Sequence, residues 1–406
     1  MQTQLTPQLQ GSAQGTEAAA ILRNCVHCGF CAATCPTYQL LGDELDGPRG
    51  RIYLIKQVLE GDAPTARTQL HLDRCLTCRA CETTCPSGVQ YGRLLDIGRR
   101  LVDEQVPRST GTRLLRRMLP ALLTGPLFAP LLHLGRLVRP LLPARLQAPL
   151  RRGSSAGHWP TGQHARRMLL LAGCVQPAMA PNINAASARV LDRLGIEVVV
   201  ARDAGCCGAL RHHLDDQAGA LAEARRNIDA WWPEVESGVE AIVLNASGCG
   251  TMLREYGHLL RDDPLYAAKA ARVSALVRDL AELLPSQIPL LRASLRTITP
   301  QRVAFHPPCS LQHGQRIRGA VESLLAALGA QLLPVADSHL CCGSAGTYFL
   351  LQPDISRSLR DAKVAALSAA APEVILSANL GCITQIAGGT GIPVQHWIEW
   401  LDARLS

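Results

Sequence analysis

The sequence predicts an α+β chain in which a small helical domain, built around two cysteine quartets, precedes two copies of an α/β unit. Three observations carry that prediction. The stretch "CVHCGFCAATCP" (Cys25 to Pro36) returns as "CLTCRACETTCP" (Cys75 to Pro86), with a constant offset of 50 residues at every cysteine. From residue 167 onward a second pattern, cysteine then CCG then cysteine, occurs twice. Short apolar strands alternate with amphipathic helical segments through both of those copies, the signature of a layered fold with parallel strands.

The bulk composition is that of an ordered protein. The 406 residues are 47% hydrophobic and 18% charged, which describes a folded chain long enough for two to three domains. Aromatics make up only 4%, which disfavours a stacking platform for nucleic acid or sugar. The leading "MQTQLTPQLQGSAQGTEAAA" is polar and small, with no basic-then-apolar signal, so the expected setting is reducing cytoplasm. There the 16 cysteines bind metal rather than pair as disulfides.

Residues 1–105 form the first expected domain. A polar lead-in ends in a short helix before Cys25. Between the quartets, Ile52, Ile55, Val58 and Leu59 fall on one helical face and Gly61 caps it. C-x2-C-x2-C-x3-C-P is the bacterial ferredoxin spacing for a [4Fe–4S] cube, in which the fourth cysteine serves the other cluster. The expected ligand sets are therefore Cys25, Cys28, Cys31 and Cys85 for one cluster, and Cys35, Cys75, Cys78 and Cys81 for the other. Structural zinc, which uses paired knuckles, fits such runs poorly. The proline after each fourth cysteine is expected to stop the local helix and turn the chain away. A two-cluster ferredoxin-like domain moves single electrons and needs a donor and an acceptor. No G-x-G-x-x-G follows a strand, and no Ser/His/Asp or H-E-x-x-H constellation is present, so no catalytic residue is assigned to this chain.

Residues 106–165 read as a connector. Eleven arginines fall between Arg108 and Arg167, and no acidic residue lies between Glu104 and Asp192. Met118 to Gly135 is an uncharged run of 18 residues interrupted by Pro120, Pro126 and Pro130. The run reads as a broken amphipathic connector lying on a surface or as a Pro-punctuated linker packed on its own domains, with a true membrane span the lesser alternative. No recognised nucleic-acid module accompanies the arginines, so a nucleic-acid partner is not expected.

Residues 166–290 and 291–406 are the two α/β copies. The first carries Cys174, Cys206, Cys207 and Cys249; the second carries Cys309, Cys341, Cys342 and Cys382. The first interval is 32 residues in both, and the last is 42 in one and 40 in the other, which marks duplication of a structural unit. "NAASARVLDRLG" and "AVESLLAALG" read as helices stopped by glycine, followed by the strands "IEVVVA" and "AQLLPVA". The cysteines fall just past strand ends, where open α/β sheets place ligands. Adjacent cysteines do not readily chelate one tetrahedral ion together, but they can bridge irons of a cluster once glycine turns the chain. An additional iron–sulfur cluster, zinc, or simple burial of small thiols remain open readings for these eight. His306, His313 and His339 are read as supporting neighbours rather than ligands.

Taken together, two ferredoxin quartets and two CCG repeats resemble the iron–sulfur subunits of glycolate oxidase. The resemblance is closest at "ILRNCVHCGFCAATCPTYQLLGDELDGPRGRIYLIKQVLEG", "HLDRCLTCRACETTCPSGVQY", "NIDAWWP", "SHLCCGSAGTY" and "HWIEW". It implies a subunit of a glycolate dehydrogenase, an oxidoreductase on CH–OH donors whose acceptor is neither NAD nor oxygen. Two [4Fe–4S] clusters would carry electrons from partner subunits containing FAD toward a quinone or the respiratory chain. Lactate or glycerol 3-phosphate in place of glycolate, and a cluster-stabilised assembly scaffold, are the rival expectations. Related heterodisulfide reductase repeats end in C-x2-C, whereas here "CGTM" follows from Cys249 and "CITQ" from Cys382, each without the second cysteine.

Overall fold

The computed structural model describes residues 1–141, 155–296 and 300–406. Two compact units emerge: Met1–Arg116 with His213–Asp215 and His339–Lys363, and Arg117–His212 with Asp216–Ser338 and Val364–Ser406.

The first unit is helical. Helices α1 (Ala13–Asn24), α2 (Pro36–Leu41), α3 (Pro48–Glu60), α4 (Ala66–Asp73), α5 (Ala80–Thr84) and α6 (Tyr91–Gln105) succeed one another between short turns. Ser12 caps α1 by accepting from the Gly15 N–H, and Pro48 opens α3, where its missing N–H costs nothing. Ile52, Ile55, Val58 and Leu59 of α3 are buried, as their spacing predicts, and Gly61 ends the helix at φ 105°. They pack with Ile21 and Leu22 of α1 and with Leu94, Leu95 and Val102 of α6 in one core. One local expectation is corrected. Pro36 does not simply stop a helix; it occupies the first turn of α2, because a fixed φ near −65° suits a helix start as well as it breaks an interior.

The connector forms α7 (Thr110–Thr124), with Pro120 inside it, and α8 (Phe128–Val138); residues 142–154, and the arginines at 145, 151 and 152, lie outside the described residues. No single helix among the described residues is long and apolar enough to cross a membrane. Among those residues α7 and α8 taken together reach that length and composition, and they are bent by 90°.

The second unit holds two four-stranded parallel sheets. The first contains β1 (Arg166–Leu170), β2 (Ile196–Val199), β3 (Ala241–Leu244) and β4 (Val277–Asp279), and the second β5 (Arg302–His306), β6 (Gln331–Leu332), β7 (Val374–Ser377) and β8 (Val394–His396). Their orders, β2-β1-β3-β4 and β6-β5-β7-β8, are the same, so the repeat read in the sequence is a repeat of topology. Helix α9 (Pro181–Arg193) follows β1, α10 (Gln217–Glu236) precedes β3 and α11 (Ser247–Arg254) follows it; α12 (Ala320–Ala327), α13 (Leu380–Ala387) and α14 (Trp397–Asp402) belong to the second copy. Strands β3 and β7 are buried at all four positions, which explains their continuous apolar runs. One core runs through both copies, joining Met168, Leu170 and Val243 to Val303, Leu376, Trp397 and Trp400.

Candidate metal centres

The two quartets are built alike. Cys25 closes α1, its N–H donating to the Leu22 carbonyl, and Cys75 follows α4, donating to Leu72. His27 and Gly29 then take left-handed backbone angles (φ 59° and 86°), and Thr77 and Arg79, fifty residues on, repeat them (53° and 60°). Side chains at such angles cost on the order of 1 kcal/mol each, so three of these four positions hold a loop shape that only its surroundings enforce. Cys31 and Cys81 sit in the short helical turns that follow, and Cys35 and Cys85 end those turns.

These loops bring the cysteines to two hollows. Cys25, Cys28, Cys31 and Cys85 line one, about 440 Å3 of space partly open to solvent, with Pro48, Arg49 and Tyr91. Cys35, Cys75 and Cys78 line a second, of about 300 Å3, with Pro48, Arg51 and Tyr91, and Cys81 borders both. A hollow edged by four sulfurs suits a group larger than one ion, so the donor set and the space fit a cube-shaped iron–sulfur cluster at each place. The thiols crowd one another: burial first, then the neighbouring Cys25, pushes Cys31 up to about 11, a penalty that a bound iron cluster would remove.

The second hollow, as open to solvent as the first, is backed by buried charge. Arg51, 1% exposed, donates to the His71 carbonyl at 2.7 Å and to Thr37 Oγ1 at 3.1 Å, and pairs with Asp46. Burial opposes its charge, but the Cys75 and Cys35 sulfurs and the Asp46 carboxylate outweigh burial and hold the guanidinium charged. The Tyr91 hydroxyl donates to Cys75 Sγ at 3.6 Å, the Thr77 N–H to the same sulfur at 3.4 Å, and Thr37 Oγ1 lies 3.3 Å from Cys35 Sγ. Arg99, also buried, donates to the Cys75 carbonyl at 2.8 Å.

In the first α/β copy, β2 and β3 leave β1 on opposite sides, and the crevice at such a switch point is where ligands bind in open sheets. Cys174 follows β1 and Cys249 lies in the first turn of α11 after β3. Cys206 and Cys207 follow β2, and Gly208, at φ 88°, donates its N–H to Cys206 Sγ at 3.4 Å. The four thiols interact in a chain. Cys174 and Cys207 both hydrogen-bond toward the Cys206 sulfur, which holds it well below the usual thiol range; their own values rise, and Cys249 contacts Cys207. Glu223 of α10 faces the same group; burial and then the Cys206 charge push its carboxyl up to about 7. Beneath the Cys174 loop, Gln176 donates to Asn184 at 2.7 Å and to Asn245 at 2.8 Å, while Asn184 donates to the Ala172 carbonyl at 3.0 Å.

In the second copy Gly343, at φ 82°, repeats the same contact, its N–H lying 3.4 Å from Cys341 Sγ. Cys341 and Cys342 belong to the first compact unit, where Tyr348 donates to the Arg74 carbonyl at 2.9 Å. Cys309 and Cys382 belong to the second unit, past the ends of β5 and β7, and Asn379 Nδ2 lies 3.7 Å from Cys382 Sγ.

Comparison with known proteins agrees with this layout. A 4Fe–4S dicluster domain model matches residues 21–89, and a cysteine-rich domain model matches 168–254 and 303–387. The chain is 55% identical to the glycolate oxidase iron-sulfur subunit of Escherichia coli (strain K12), over 100% of this chain and 99% of that one. The chain belongs to the glycolate oxidase iron–sulfur subunits. A probable glycolate oxidase iron-sulfur subunit of Bacillus subtilis (strain 168) is 32% identical over 91% of this chain and 89% of its own. Lactate utilization protein A of the same organism is 27% identical over 59% of this chain. Within this glycolate oxidase subunit family member, the residues that spacing did not single out are Asp46, Arg51, Tyr91 and Glu223. The only trace of the first two is the "DELDGPRGR" run, an acidic turn leading into a helix with two arginines.

Proposed function

We propose that the chain is the electron-carrying subunit of a flavin-linked complex that oxidises glycolate to glyoxylate. Glycolate would give up two electrons and two protons at FAD on partner subunits. The Cys25, Cys28, Cys31, Cys85 set and the Cys35, Cys75, Cys78, Cys81 set would each hold one [4Fe–4S] cluster, which takes up and gives back single electrons. The observation that carries this reading is the pair of hollows, one lined by Cys25, Cys28, Cys31 and Cys85 with Cys81 also at its edge, the other by Cys35, Cys75, Cys78 and Cys81. This chain's own part is to hold the clusters and set their surroundings.

The CCG cysteines would hold a further metal centre, a cluster or zinc, with the four thiols around Cys206 as one donor set. The exposed Leu114, Leu115, Met118, Leu131, Leu134 and Leu137, with Arg113 and Arg117 beside them, suit peripheral contact with an anionic inner-membrane face, where a quinone would accept electrons.

The test is EPR of the anaerobically purified complex before and after glycolate, with iron and zinc quantitation. Cluster signals that appear with glycolate support the reading. Clusters that respond to dithionite and to lactate or glycerol 3-phosphate, but not to glycolate, replace the donor, and clusters that respond to none of the three make the chain a scaffold.

A further inference from the structure

Both quartets share spacing and loop geometry, so any difference between their clusters must come from the surroundings. We propose that Arg51 and Tyr91 make the Cys35, Cys75, Cys78, Cys81 site the higher-potential of the two, so that electrons settle there. The inference rests on the two-cluster function proposed for this chain.

Reducing a cluster adds one negative charge, and a buried cation or a hydrogen bond to sulfur stabilises that reduced state. Arg51 lines the second hollow and is sealed from solvent, where its field is little screened. Tyr91 donates to Cys75 Sγ, and Arg99 approaches from behind through the Cys75 carbonyl. The first hollow has a matching arginine, Arg49, two residues away on the same helix start. Arg49 is 37% exposed and paired with Glu44 at 2.6 Å, so its charge is both neutralised and screened. Two effects act the other way. Burial of the second site disfavours added charge, and Asp46 offsets one guanidinium. Asp46, however, is shared among Arg51, Arg74 and His71, and Arg79, which also lines the hollow, pairs with the buried Glu82; three guanidiniums thus face two carboxylates, while Arg99 is offset by Asp73, Asp96 and Asp215. The balance at the second site is positive.

The experiment is a redox titration of the whole complex followed by EPR, with Cys28→Ser used to assign the signal of the first site. In the unaltered complex the second site is expected to become reduced at the higher potential. Arg51→Gln and Tyr91→Phe are expected to lower that midpoint and leave the first site in place. Arg51→Gln strands Asp46 and can fail to fold; Tyr91→Phe removes one hydroxyl from an unchanged ring and decides the matter alone. An equal or reversed order in the unaltered complex, or a Tyr91→Phe midpoint that stays put or moves together with the first site's, overturns the inference. A complex that carries iron far below about eight atoms per chain and lacks paired cubane signals overturns the two-cluster reading with it.

Discussion

Asp46 and Arg51 form an ion pair 3.5 Å long with neither side chain in contact with solvent. Asp46 also meets His71 Nδ1 at 3.0 Å and Arg74 Nη1 at 2.7 Å, so one carboxylate satisfies three donors that close the inner wall of a cysteine loop. Breaking a buried pair on one side leaves an uncompensated charge. Asp46→Leu is therefore expected to cost ~3–5 kcal/mol, whereas Asp46→Leu combined with Arg51→Leu costs less than Asp46→Leu alone. Denaturant unfolding at matched iron content checks this. Equal losses in the single and double variants would show that packing, not charge, holds the site.

The crossed cysteine sets give a second prediction. Cys85→Ser should alter the same EPR signal as Cys28→Ser, although the two residues are distant in sequence and belong to different quartets, and Cys35→Ser should pair with Cys78→Ser in the same way. Signals that sort by quartet would mean that each run holds its own cluster.

His396 is fully buried, and burial holds its imidazole down to about 4, against 6.5 for an ordinary histidine. The unfolded chain then binds more protons than the folded chain between those values. Stability from this group is complete above about pH 6.5 and falls as pH drops toward 4, by ~3 kcal/mol in all. His396 Nδ1 also accepts from the Ile398 N–H at 3.1 Å and so caps α14. His396→Asn keeps an acceptor at the cap but cannot titrate. It should be less stable at pH 7, with a shallower acid slope in unfolding midpoints measured from pH 7 to 4.5. An unchanged slope would place the acid sensitivity on another group.

Gly208 and Gly343 combine left-handed backbone with no room for a side chain. A Cβ would lie 2.9 Å from the Ala220 carbonyl oxygen in the first case and 2.6 Å from that of Ser356 in the second. Gly208→Ala and Gly343→Ala should each cost about 1–3 kcal/mol. Because each glycine N–H points at the sulfur two residues before it, metal retained per chain after gel filtration should fall as well. Full metal content in a destabilised Gly208→Ala chain would detach the turn from metal binding.

Much of the fold is legible in the residues alone. The quartets speak through spacing, and the duplicated sheets through the recurrence of strand, CCG and strand at nearly fixed intervals. Helix α3 can be drawn from Ile52, Ile55, Val58, Leu59 and Gly61. Buried charge is different, because in a sequence Asp46 and Arg51 look like any solvated pair five residues apart; only folding shows that His71 and Arg74 arrive at the same point. Pro36 carries a true signal with two meanings, an end and a beginning, and the local sequence does not choose between them. Residues His339–Lys363 join the compact unit of the quartets while their neighbours on both sides do not, a long-range preference that no periodicity encodes.

The second unit's core draws on both sheets at once, with Met168 and Val243 from one and Val303, Leu376 and Trp397 from the other. Neither copy is thus a module that evolution could discard. Each copy's apolar face covers the other's, so packing holds the strands and the glycine turns of both in place whatever their thiols bind. Both copies lack a second cysteine at the same place, "CGTM" in one and "CITQ" in the other, so a change in the thiol set of either need not disturb the shared core that keeps the two sheets together.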